Sequence, residues 1–126
     1  MCVTKEAKEN PLEPNENRRK TPRYPFIANA EVGVQGANTR LEARVSEISL
    51  NGCYLDMLNP LEVGTVVTVK IFADGDFFES AATVVYCHPN LGMGLSFRDI
   101  NPHFVPTMQK WLLEAMRVWS KSNNKE

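Results

Sequence analysis

The sequence predicts a mainly β domain, about six antiparallel strands forming a β-barrel with a C-terminal α-helix. Three observations carry that expectation. Apolar residues alternate with period two through most of residues 27–97, turn signals recur between those runs, and helical spacing appears only near the end of the chain. The strand–helix–strand alternation of a parallel sheet is missing throughout.

The first strand is read from Ala28, Ala30, Val32 and Val34, which alternate with Ile27, Asn29, Glu31 and Gly33. Gly36-Ala37-Asn38 turns the chain back into a second run, Leu41 to Ile48. There Leu41, Ala43 and Val45 share one face and Glu42, Arg44 and Ser46 the other. These two runs predict a hairpin. Gly52 to Leu58 reads as a short strand, and Asn59-Pro60 and Gly64 punctuate the chain before the β-branched run Val66, Val67, Thr68, Val69, Ile71. Asp74-Gly75-Asp76 signals a tight turn, and Phe77 to Cys87 and Leu91 to Phe97 follow as two more strands separated by His88-Pro89-Asn90. Met108, Trp111, Leu112, Ala115, Val118 and Trp119 then recur at three- and four-residue steps. They predict a helix whose apolar stripe, Trp111 and Trp119 included, packs on an open barrel end, with Pro106 tolerated in its first turn.

Length and composition bound the function. The 126 residues, 43% hydrophobic and 23% charged, suit one globular domain. A formal net charge of −1 opposes a general DNA or RNA binder, since long phosphate backbones are gripped by broad basic surfaces. Cys2, Cys53 and Cys87 are odd in number and lack C-x-x-C spacing, so they describe neither a disulfide framework nor a zinc site and suit a reducing cytoplasm. No export signal and no stretch of about 20 apolar residues is present, so membrane insertion is not expected. Residues 1–17, polar and carrying Pro11 and Pro14, are expected to be a flexible tail, residues 18–120 the domain, and residues 121–126 a frayed end.

Two segments carry chemistry. Arg18, Arg19, Lys20 and Arg23 place four cations within six residues, and Pro22 and Pro25 keep them out of a helix. Arg19 and Arg23, four apart on an extended or looped chain, can each grip a separate group of one ligand. A guanidinium fork binds phosphate, or the O6 and N7 edge of guanine, in a geometry lysine lacks. Further on, Glu47-Ile48-Ser49-Leu50-Asn51-Gly52 closes the second predicted strand. On an extended chain the Glu47 carboxylate and Ser49 hydroxyl fall on one side, with Ile48 turned into the core. A carboxylate accepts from guanine N1–H and N2–H, a hydroxyl serves phosphate or base, and Gly52 permits a turn or a close approach.

In these two segments the chain resembles the PilZ domain family, whose signature is R-x-x-x-R followed by [D/N]-x-S-x-x-G. Arg19 and Arg23 match the first part and Ser49 and Gly52 the second, while Glu47 stands where the family has Asp or Asn. Gly92-Met93-Gly94-Leu95-Ser96-Phe97 also looks like the family's final strand. The resemblance implies a bacterial cytoplasmic receptor for cyclic di-GMP. Its ligand would lie across the barrel face as a monomer or an intercalated pair, held by Arg18, Arg19, Arg23, Glu47, Ser49, Asn51 and Gly52. Arg18 is the residue the family associates with the pair. An unidentified protein effector would receive the signal. The alternative is a degenerate adaptor of the same fold, which works through protein contacts without nucleotide.

Other residues read as structural. Cys87 and His88 are adjacent on a strand and therefore point oppositely, Gly92-x-Gly94 lacks the strand-then-helix context of a dinucleotide loop, and Asp74-Gly75-Asp76 is too short for a calcium loop. Neither a catalytic set nor a metal site nor a cofactor is predicted.

Overall fold

A computed structural model describes residues 22–123. Six strands form: β1 (Tyr24–Val34), β2 (Arg40–Ile48), β3 (Gly52–Asp56), β4 (Val66–Ala73), β5 (Asp76–His88) and β6 (Gly92–Arg98). Every pairing is antiparallel, and the strands close into a barrel in the order β1-β2-β3-β6-β5-β4. The connection from β3 to β4 therefore leaves one side of the β1–β2 hairpin and returns on the other, as expected of a Greek-key barrel. Closure pairs every strand on both sides and leaves no exposed edge. Asp74 and Gly75, both at positive φ (51° and 79°), supply the two left-handed positions of the tight β4–β5 hairpin.

The period-two pattern becomes burial. Val32, Val45, Leu55, Val67, Val69, Ile71, Phe78 and Met93 fill the barrel with side chains almost wholly removed from water. Along two strands, however, the alternation changes phase. In β2 the buried residues are Val45 and then Ile48, and the pairing with β3 slips between Val45 and Glu47. In β5 they are Val84 and then Cys87, with a slip against β6 between Val84 and Tyr86. Each slip is a β-bulge, in which an extra residue reverses the facing of all that follows. Strict alternation from Val45 or from Val84 would have sent Glu47 and Tyr86 into the core. The bulges put both outside.

A 3-10 turn (Pro102–Phe104), capped by the Asn101 side chain accepting from the His103 amide at 2.8 Å, leads into helix α1 (Val105–Asn123). Met108, Trp111, Leu112 and Ala115 are buried, and the Trp111 ring packs tilted against Phe26 with centroids 5.5 Å apart, sealing a barrel end. The predicted stripe ends there. Val118 and Trp119 are about half exposed, because α1 outruns the barrel wall; the Trp119 and Tyr24 rings meet edge-on, with centroids 5.9 Å apart. Cys53 is a buried free thiol and Cys87 is also buried, while Cys2 lies outside the described residues.

Candidate functional site

Arg23 directly precedes β1. Because Tyr24 pairs with Ile48 and Pro25 with Glu47, the start of β1 lies alongside the end of β2, and two residues 24 apart in sequence meet. Arg23 Nη1 donates to Glu47 Oε1 at 3.1 Å, and the guanidinium lies 5.4 Å from the centre of the Tyr86 ring. Both side chains of the pair remain partly exposed, at 26% and 45%. Arg18 and Arg19 lie outside the described residues.

Ser49 departs from its expected place. β2 ends at Ile48, and Ser49 sits in the turn to β3, only 7% exposed rather than beside Glu47 on the outer face. Its hydroxyl donates to the Gly52 carbonyl at 3.2 Å and accepts from the Gly52 amide at 3.1 Å, while its own amide donates to the same carbonyl at 2.9 Å. The hydroxyl is thus committed to holding the four-residue turn, a local side chain-to-backbone arrangement that serine favours. Gly52 is required for a second reason: a Cβ there would run into the Leu95 carbonyl oxygen on β6. Asn51 keeps its side chain at the surface, and its carbonyl accepts from Phe97 N at 2.8 Å, tying the turn to β6. Ser49 and Gly52 therefore frame the turn, whereas Arg23, Glu47 and Asn51 face outward around it.

A set of residues missed in the sequence completes this face. Tyr54 is opposite Glu47 in the β2–β3 pairing, Gly94 is opposite Tyr54, and Tyr86 is opposite Gly94, so one row runs across four strands. In the next row Asp56, Gly92 and His88 lie abreast. The Tyr54 and Tyr86 rings are 6.0 Å apart and 24° from parallel, with His88 5.8 and 5.4 Å from them. Tyr54 Oη and His88 Nδ1 share a hydrogen bond of 2.9 Å. Burial first, then the neighbouring Tyr86, Asp56 and Glu47, raise the Tyr54 pKa above the ordinary phenol value, with Arg23 opposing, so the hydroxyl stays neutral near pH 7. Gly92 and Gly94, alternating in one strand, were the available signal, with Gly94 opposite both tyrosines and Gly92 opposite Asp56 and His88; read as ordinary strand glycines, they lost it.

The face thus offers a guanidinium, a carboxylate, an amide side chain and aromatic rings, a combination suited to an anion that carries planar polar rings. It offers no arrangement for metal chemistry: among the described residues no group of three or more His, Cys, Asp or Glu is placed to hold an ion. No helix among them is long and apolar enough to cross a membrane.

Comparison with known proteins agrees with this architecture. The fold is similar to the PilZ domain of YcgR from Escherichia coli, solved with c-di-GMP, at 14% identity and TM-score 0.67 over 86% of this chain and 99% of that one. It is similar to the PilZ domain of CeSA from a cellulose-synthesizing bacterium, at 18% identity and TM-score 0.60 over 74% of this chain and 96% of that one. The Bacillus subtilis inhibitor of motility (MotI/DgrA) matches at 16% identity and TM-score 0.64 over 86% of this chain, which spans 54% of that protein. No curated protein matches the sequence. The family model for the PilZ domain matches residues 17–114, most of the chain, and with the closed barrel and its terminal helix this establishes that the chain belongs to the PilZ domain family.

Proposed function

We propose that this chain is a non-enzymatic receptor for cyclic di-GMP, acting in bacterial cytoplasmic signalling. The observation that carries the reading is the meeting of Arg23 and Glu47 on the outer face, beside the Ser49–Gly52 turn, in a PilZ domain. The YcgR PilZ domain, which the fold resembles, was solved with c-di-GMP. In this reading Arg18, Arg19 and Arg23 grip phosphates and guanine edges, and Glu47 and Asn51 take the remaining base edges. Ser49 and Gly52 act by holding the turn that presents them. The bound nucleotide would remodel the surface seen by a protein effector.

Isothermal titration with cyclic di-GMP, with GMP as control, tests the proposal. Saturable heat for the cyclic dinucleotide alone is expected, with a raised melting temperature. Absence of both at high micromolar ligand would sink it. That silence would favour the second reading, a degenerate adaptor working through protein contacts, whose specific support is that Glu47 already occupies the Arg23 guanidinium.

A further inference from the structure

We infer that the exposed flank of α1 is a docking groove for the chain's own N-terminal segment, in which Leu12 of the Pro11-Leu12-Glu13-Pro14 stretch seats between α1 and the start of β1. Residues 1–21 lie outside the described residues and enter only by their sequence. The groove, of about 720 Å³, is lined by Tyr24, Leu113, Met116 and Trp119, with Lys110 and Arg117 among its polar residues. Leu113, Met116 and Trp119 are 64%, 40% and 45% exposed, three large apolar side chains at three-residue steps on a helix whose buried residues already plug the barrel. Covering such a surface is favourable.

The chain enters the barrel at this groove. Pro22 is the first described residue, and Tyr24, two positions on, lines the groove and meets the Trp119 ring at 5.9 Å. Residues 15–21 span up to about 25 Å when extended, against about 9 Å of helix axis from Leu113 to Trp119, so Leu12 can reach any part of it. The segment also has the right chemistry. Leu12 is the one large apolar side chain between Thr4 and Thr21 apart from the prolines, and Pro11 and Pro14 bracket it. Proline-rich stretches favour an extended form with little freedom left to lose, and they dock on grooves lined by aromatic rings, as Tyr24 and Trp119 line this one.

Charge selects the occupant. From Glu9 to Glu16 the sequence carries Glu9, Glu13 and Glu16 and no cation. Lys110 and Arg117 are 57% and 64% exposed, and their ion pairs with Asp76 and Glu114 lie at the surface, where such pairs hold little and a further carboxylate can share the cation. A second copy of the chain would instead bring the same two cations and one carboxylate, Glu114, against themselves. Docking at Leu12 would close residues 15–22 into a loop tied at both ends, with Arg18 and Arg19 in its middle. Those cations would then be gathered near Arg23 at a lower entropic cost than on a free end. The docking goes beyond the receptor reading and stands without it.

The test is NMR of the full chain, labelled with carbon-13 and nitrogen-15, beside the variant Leu12→Asp. In the wild type, nuclear Overhauser contacts are expected between the Leu12 methyl groups and the ring protons of Tyr24 and Trp119. Leu12→Asp should abolish them and shift the indole N–H signal of Trp119, leaving that of the buried Trp111 in place. Absence of these contacts in the wild type, or a Trp119 signal indifferent to Leu12→Asp, would overturn the docking. In a mixture of labelled and unlabelled chains, contacts that cross between copies would give the groove to a second copy and overturn it equally. None of these readouts involves the nucleotide, so failure here leaves the receptor reading to its own titration.

Discussion

Glu47 is one methylene longer than the Asp or Asn of the family pattern, and its carboxylate meets Arg23 at 3.1 Å. The pair is partly exposed, so its contribution to stability is small, about 1 kcal/mol or less. Under the proposed function its effect on binding is larger, since an incoming phosphate or guanine would have to displace this carboxylate from the guanidinium. Shortening the residue in Glu47→Asp should release Arg23 and tighten the cyclic di-GMP Kd, with the urea midpoint nearly unchanged. Calorimetry on the variant checks this. A weaker Kd would instead show that Glu47 itself holds the ligand through its full length.

Among the elements, α1 divides into two parts that the sequence shows as one stripe. Its first half is a plug for the barrel: Trp111 is 1% exposed, and its indole nitrogen has no hydrogen-bond partner among the described residues, so its value lies in packing rather than polarity. Trp111→Ala should cost about 3–5 kcal/mol, the range for emptying a large aromatic site. Trp119, beyond the barrel wall and in edge contact with Tyr24, should cost about 1 kcal/mol on replacement by Ala. Urea denaturation of the two variants separates plug from overhang; equal losses would place the final turns of α1 in the core. Tyr24 follows Arg23 directly, so the overhang contacts the residue next to the proposed site.

At the scale of the whole molecule, burial of ionisable groups predicts how stability responds to alkali. Cys53 lies in the core, where burial pushes its thiol pKa up to about 12, against 9.0 for the ordinary thiol. Between those values the unfolded chain loses this proton while the folded chain keeps it, so stability falls as pH rises; below about pH 9 the term is constant. Tyr54, raised by burial, and Lys110, raised by its hydrogen bond to Asp76, act in the same direction. The urea midpoint should therefore decline from pH 9 upward, and Cys53→Ala should flatten the decline. A wild-type midpoint independent of pH across that window would mean that the Cys53 thiol ionises freely in the folded protein.

The sequence by itself determined the strands, turns and helix, because each depends on a local period or on backbone conformations that particular residues favour. Val67, Val69 and Ile71 alternate into the core as written, Asp74-Gly75 makes the turn, and Met108, Trp111, Leu112 and Ala115 make the buried stripe. It also determined the two motif segments, whose residue types are the message. The tertiary structure alone decided how those residues are used. The bulges before Glu47 and Tyr86 depend on the hydrogen-bond register with β3 and β6, and a register is a property of two strands. Ser49 turned inward because the amide and carbonyl of Gly52 offered it two bonds across a closed turn, which a strict extension of β2 would not have supplied. Tyr54, Tyr86 and His88, up to 34 residues apart, met only when β6 came to lie between β3 and β5 with glycine at the crossing points. Nothing local in any one strand records that meeting; closure of the barrel creates it.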